Sequence, residues 1–277
     1  MRPSVHPTHV KKYSPNHMDE QPDLVAVEEP LEIRLGFGKP GQREQKQVSV
    51  TMRTPGHDFE LAIGFLFTEG IIHSFDEVES IKHCTDDNNQ LSDNIIRVEV
   101  KPEVRFDPAT LQRNFYTTSS CGVCGKASIE SVKVHCNPVD DAFRIGREVI
   151  QTLPAQLSKS QEVFERTGGL HAVGLFRATG DLKLLREDVG RHNAMDKVIG
   201  ASLFEKQIPI ANSMVLVSGR ASFELVQKAA VAGIPMLAAV GAPSSLAIEL
   251  AQECGMTLVG FVKEDRFNVY TAFHRII

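Results

Sequence analysis

Apolar and polar residues alternate in Leu31-Glu32-Ile33-Arg34-Leu35, at Val48, Val50 and Met52, and in Ile95-Ile96-Arg97-Val98-Glu99-Val100. A period of two sends successive side chains to opposite faces, so these stretches predict strands with one wet face and an antiparallel sheet in the first half. Between them, Phe59, Ala62 and Leu66 recur at helical spacing beside Leu61 and Phe65, with Asp58 placed to cap this helix and Gly70 to end it. Asp107-Pro108-Ala109-Thr110 predicts a short helical stretch, and residues 117–125 a small polar loop. Residues 140–157 predict an amphipathic helix through Phe143, Ile145, Val149 and Ile150.

The second half changes character. Its apolar runs, Met214 to Val217, Met236 to Val240 and Thr257 to Val262, are continuous, which suits strands covered on both faces. Ser222 to Ala232 and Ser244 to Cys254 lie between them, each opening on a capping serine and followed by a glycine. Strand and helix in alternation predict right-handed βαβ units. Upstream, Leu170 to Phe176 and Leu182 to Leu185 read as a strand pair turning at Thr179-Gly180-Asp181, with a helix from about Arg191. The organisation expected is a flexible arm over residues 1–23, a β-rich domain over 24–139 and an α/β domain over 140–277.

Composition adds little to this picture: 277 residues, 42% hydrophobic and 23% charged, suffice for one large core or two modest ones. A net charge of -5 offers no general attraction to nucleic acid or to an anionic membrane, so neither is expected as a partner. No apolar run is long enough for a membrane helix. Residues 1–23 lack the apolar core of a secretory signal, and an odd count of 5 cysteines argues for a reducing compartment, so the cytoplasm is expected.

Candidate chemistry falls at three places. In Cys121-Gly122-Val123-Cys124 two thiols stand close enough to interact, and the flanking Gly122 and Gly125, with Lys126 and a helix starting near Ala127, favour close approach and a reactive thiolate. The alternative is half of a structural zinc site completed by His83-Cys84 and His135-Cys136, but these lack the paired spacing of a second knuckle. A thioredoxin-like pair fits less well, because Thr and Ser rather than a buried strand precede the motif. Cys84, Cys136 and Cys254 read as small hydrophobes. Glu187 to Asn193 joins a strand to a helix, where Asp188 or Gly190 could cap it and Arg191 and His192 could meet an anion; the bland alternative is a capped helix start. Ser218-Gly219-Arg220-Ala221-Ser222 follows a buried strand and opens a helix. It offers amides, a hydroxyl and the Arg220 guanidinium at a sheet edge, where Gly241 to Ser244, Lys263 and Arg266 are expected to converge. No His-x-Glu accompanies a Pro-Cys-x-x-Cys, which disfavours a zinc deaminase.

On Ser120 to Gly125, Arg186 to Lys197, Ser218 to Glu224, Gly233-Ile234-Pro235, Ala242 to Ala247, Leu258 to Phe261 and Asn268-Val269-Tyr270, the chain resembles the FdhD family of formate dehydrogenase accessory sulfurtransferases over roughly residues 24–275. Further back, Gly64-Phe65-Leu66 and Glu69 to Ile72 share the likeness. The resemblance implies a cytidine-deaminase-like three-layer α/β/α fold for the second domain, α+β overall. It implies that a cysteine desulfurase loads a persulfide on Cys121, with Cys124 assisting. The sulfur would pass to the molybdenum cofactor, in its bis-molybdopterin guanine dinucleotide form, before that enters formate dehydrogenase. The cofactor is then a bound client; no permanent cofactor and no metal are expected, and a homodimer is the family expectation. A molybdenum-cofactor chaperone with zinc at the cysteine loop is the alternative. By position, the guanine contact falls on Phe261, Val262, Lys263, Glu264, Asp265 and Arg266, beside Arg220 and His192. Glu264-Asp265 departs from the family pattern, in which Gly often precedes the Arg. The two carboxylates would be offset by Lys263 and Arg266, or would accept from the guanine N1–H and amine.

Overall fold

The computed structural model describes residues 3–85, 91–104 and 138–277. Strands β1 (Val5–Ser14) and β2 (His17–Ala26) pair antiparallel with unbroken register from Val5↔Ala26 to Ser14↔His17. This corrects the expected flexible arm. Val5, Thr8, Val10 and Tyr13 favour strand, and Pro7 and Pro22 are tolerated because both members of a two-stranded ribbon are edges.

A four-stranded sheet follows, built from β3 (Glu29–Phe37), β4 (Glu44–Arg53), β5 (Val78–Thr85) and β6 (Leu91–Val100) in the order β4-β3-β6-β5. The expectation of an antiparallel sheet holds at both rims, but the central β3·β6 pair is parallel. Alternation reports which face is wet and carries no information on the direction of a neighbour. Helix α1 (Asp58–Thr68) lies between β4 and β5 in the chain, and Gly70 ends it at φ +72°. Asp58 is the first helical residue rather than the cap, its carboxylate held by the Arg53 guanidinium at 2.9 and 3.1 Å.

The helix expected over residues 140–157 begins later, as α2 (Arg147–Lys159). The preceding residues run toward the C-terminus, where Ile145 bridges Ile276, so burial of Phe143 and Ile145 is achieved without a helix. A short α3 (Glu162–Thr167) leads to β7 (His171–Arg177) and β8 (Leu182–Asp188). Then come α4 (Arg191–Phe204), β9 (Ser213–Val217), α5 (Phe223–Val231), β10 (Met236–Ala239), α6 (Ser245–Glu253), β11 (Thr257–Gly260) and β12 (Asn268–Val269). The sheet order is β12-β11-β10-β9-β7-β8, with β9, β10 and β11 parallel. One face, through Met214, Leu216, Met236 and Val259, packs on Ile150, Leu153 and Leu157 of α2. The other, through Val215, Leu237 and Leu258, meets α4, α5 and α6. Three α/β/α layers result, as expected.

The halves of the chain share one core, because Ile33, Ile96 and Val98 of the first sheet belong to the same buried cluster as Val215 and Leu237. Contact is closest where α1 crosses α4: a Cβ on Gly64 would stand 1.9 Å from the Asp196 carbonyl oxygen, and one on Gly200 1.9 Å from that of Glu60. Only glycine permits this approach.

Candidate functional site at the strand edge

The C-terminal ends of β9, β10 and β11 come together as the sequence predicts. Gly241 N–H donates to the Gly219 carbonyl at 2.9 Å, Phe261 N–H to Gly241 at 3.0 Å, Ala221 N–H to Ala242 at 3.1 Å and Ser244 N–H to Ala221 at 3.0 Å. Residues 218–222, 241–244 and 261–266 thus form one continuous rim. Gly241 makes this possible, since a Cβ there would lie 3.1 Å from Arg220 Cα. Arg220, Lys263, Glu264, Asp265 and Arg266 are exposed on that rim, and a turn closed by Lys263 N–H to the Arg266 carbonyl at 2.8 Å presents the last four. No ion pair among the described residues joins these charges, so all three cations are available to an anion.

Phe261 is 42% exposed at φ 55°, a left-handed conformation that a bulky residue adopts only when its surroundings impose it. Val262 requires a correction: its side chain is 1% exposed in the core beneath the sheet and its N–H donates to Ala239, so it supports the rim without facing a ligand.

His192 is half-buried at the start of α4 and reaches the same edge. Its Nε2 lies 3.2 Å from Ser222 Oγ and 3.4 Å from Glu224 Oε2. Burial pushes the Glu224 carboxyl up, but the His192 hydrogen bond and charge outweigh this and hold its pKa at about 2. Serine and glutamate share one ring nitrogen, so the trio cannot relay a proton through the imidazole as a catalytic triad does. It orients His192.

Most of the Glu187-to-Asn193 motif is structural. Asp188, fully buried, meets Lys197 Nζ at 2.6 Å and accepts from the N–H groups of Thr54 and Gly190 and from Asn193 Nδ2. Lys197 and Asn193 reach on to the carbonyls of Thr54 and Met52. The motif therefore locks α4 to the end of β4, and Gly190, with no side-chain cap, starts the helix. Arg191 and His192 remain for a ligand, and Arg191 Nε is a buried donor with no partner among the described residues.

Sequence reasoning missed His171. It begins β7, which runs antiparallel to β9, so its N-terminal end lands at the C-terminal edge of the parallel strands. Burial, then the charges of Arg191 and His192, pushes its pKa down and favours the neutral imidazole. No local pattern marks a strand start as a site residue.

Cys121 and Cys124 lie outside the described residues, as do Lys126, His135, Cys136 and the stretch from Asp107. Cys84 is partly buried and Cys254 buried. No helix among the described residues is long and apolar enough to cross a membrane.

The fold and rim define a class: a three-layer α/β protein with an open, cationic strand edge suited to a small anionic ligand. The FdhD/NarQ family model matches residues 26–277, and the chain belongs to that family. It is 51% identical over 260 residues to a sulfur carrier protein FdhD of Mycolicibacterium paratuberculosis, covering 92% of this chain and 93% of that one. It is 50% identical to the protein of that name from Streptomyces avermitilis, over 92% and 90% of the two chains. A crystal structure described as a candidate formate dehydrogenase accessory protein from Desulfotalea psychrophila superposes with TM-score 0.77 at 27% identity, covering 99% of this chain and 100% of that one.

Proposed function

We propose that this protein is a sulfur carrier whose Cys121 takes a persulfide from a cysteine desulfurase and delivers its sulfur to bis-molybdopterin guanine dinucleotide bound for formate dehydrogenase. Family membership supports sulfur carriage, and the single structural observation behind a nucleotide-bearing client is the joined rim of residues 218–222, 241–244 and 261–266. In loading, the Cys121 thiolate attacks the outer sulfur of the desulfurase persulfide; a new S–S bond forms, and the old one breaks with its electron pair leaving on the desulfurase thiolate. In delivery, the S–S bond breaks with its pair returning to Cys121 as thiolate; the outer sulfur is reduced to the sulfide level by the client's molybdenum centre, which must arrive reduced and is oxidised by two electrons as the new bond forms, and the persulfide proton passes to solvent. Cys124 assists within the same Cys-x-x-Cys motif. At the rim, Arg220, Lys263 and Arg266 would face the pyrophosphate, while Glu264 and Asp265 offer acceptors to guanine N1–H and its amine. The cytoplasm is the compartment this chemistry requires, since free thiols persist there.

Mass spectrometry after incubation with a cysteine desulfurase and cysteine is the direct test. The wild-type chain should gain one sulfur and Cys121→Ala should not. An adduct persisting in Cys121→Ala, or stoichiometric zinc lost with Cys124→Ala, would replace the reading with a different carrier or a zinc-bearing chaperone. Calorimetry with guanosine diphosphate tests the rim: Lys263→Ala combined with Arg266→Ala should weaken binding at least tenfold, and unchanged affinity would remove the segment from the site.

A further inference from the structure

A second hollow adjoins the rim on its β7 side. Gln161, Phe164, Gly168, Gly169, Leu170, His171 and Ser218 line a cavity of about 400 Å³ between α3 and the start of β7. Gln161 is only 5% exposed, yet its Nε2 donates to nothing among the described residues. A buried amide donor without a partner is uncommon, and such a group in a cavity wall calls for an acceptor from outside the chain. Ser218 Oγ accepts the Ala172 N–H at 2.9 Å, which leaves the hydroxyl proton free to donate. Phe164 is 38% exposed and presents a free aromatic surface, while Gly168 and Gly169 place no side chains between that surface and a flat ligand. The His171 imidazole makes no hydrogen bond among the described residues, and the burial that lowers its pKa favours the neutral ring, in which one nitrogen can accept.

Two donors, one acceptor and an aromatic wall match a flat fused ring carrying a carbonyl oxygen beside ring N–H and amino groups. We infer that this hollow is a second subsite of the strand edge, receiving the 2-amino-4-oxopyrimidine face of a pterin or of guanine. It rests on the proposed function for the identity of the client, and it extends that reading to the client's other end. The sheet order fixes the spacing. From β11, which carries the 261–266 turn, to β7, which carries His171, there are three strand intervals. At about 4.8 Å each these span roughly 14 Å. A ring held at either end, with a pyrophosphate crossing beside Arg220 between them, suits a dinucleotide in which pterin and guanine occupy opposite ends.

The test uses the full-length chain with 6-hydroxymethylpterin, followed by quenching of its fluorescence, and guanosine diphosphate, followed by calorimetry. Wild type should bind the pterin. Gln161→Leu and Phe164→Ala, each checked for native circular dichroism, should weaken it at least tenfold while leaving guanosine diphosphate unchanged. If guanosine diphosphate rather than pterin loses affinity in these variants, the ring received is guanine and the subsite stands. If both folded variants bind both probes like wild type, or wild type binds neither, the subsite is refuted. Pterin binding that depends on Gln161, with no guanosine diphosphate binding to the wild type, would sink the proposed rim site and keep this one.

Discussion

At the residue scale, several side chains that read as chemistry or as filler carry the join between the two halves. Asp188 and Asn193 lie in a motif suited to anion binding, with Lys197 one helical turn beyond it, yet the partners of all three are the backbone of β4's end and one another. Removing one partner of such a buried pair strands a charge, so Lys197→Met should cost about 3–5 kcal/mol in urea denaturation. Gly64 stands out in sequence only through the family likeness and Gly200 not at all, because their role depends on a crossing made by segments more than a hundred residues apart. Gly200→Val should destabilise by about 3 kcal/mol or more, through overpacking against the Glu60 carbonyl, again by urea denaturation. Glu60 faces Arg186 through two hydrogen bonds of 2.6 and 2.7 Å. Burial raises its pKa, but Arg186 and His57 prevail and hold it at about 2, below the ordinary 4.5. A depressed carboxylate pKa contributes stability that is complete above the unfolded value and fades as pH falls through the folded one. The loss should therefore fall between pH 4.5 and 2. Glu60→Gln should lower stability at neutral pH by roughly 2 kcal/mol and flatten the pH profile in that window, which denaturation at stepped pH would show.

At the element scale, helix punctuation in the second half was legible and the serines that supply it differ in what they do. Ser244 Oγ accepts the Ala247 N–H at 3.3 Å and caps α6, whereas Ser222 makes no cap bond and instead faces His192. Ser244→Ala should accordingly cost about 1 kcal/mol, measured by thermal unfolding. The same measurement on Ser222→Ala should show a smaller loss. The hairpin of β1 and β2 escaped a reading based on composition, since prolines, histidines and charges are compatible with a strand whose two neighbours are one strand and solvent. The helix expected from residue 140 shifted to Arg147 because pairing of Ile145 with Ile276 offered those apolar residues another burial route.

At the scale of the whole molecule, one buried cluster runs from the four-stranded sheet through α1 and α4 into the six-stranded sheet, so the halves should unfold together. Urea titrations followed by far-ultraviolet dichroism and by tyrosine fluorescence should coincide in a single transition; two separated transitions would show independent cores. The sequence by itself determined strands β3, β4 and β6 to β11, the βα alternation and the loops that meet at the strand edge, because periodicity, capping residues and glycines act within a few residues of chain. It also carried the family likeness in its motifs. Only the tertiary structure decided that β3 and β6 run parallel, that Val262 turns inward, that Asp188 and Lys197 bind the fold together, and that His171 and Gln161 stand beside the rim. Each of these depends on contacts between distant segments, where packing and the satisfaction of buried polar groups, rather than local preference, choose among the arrangements a pattern allows.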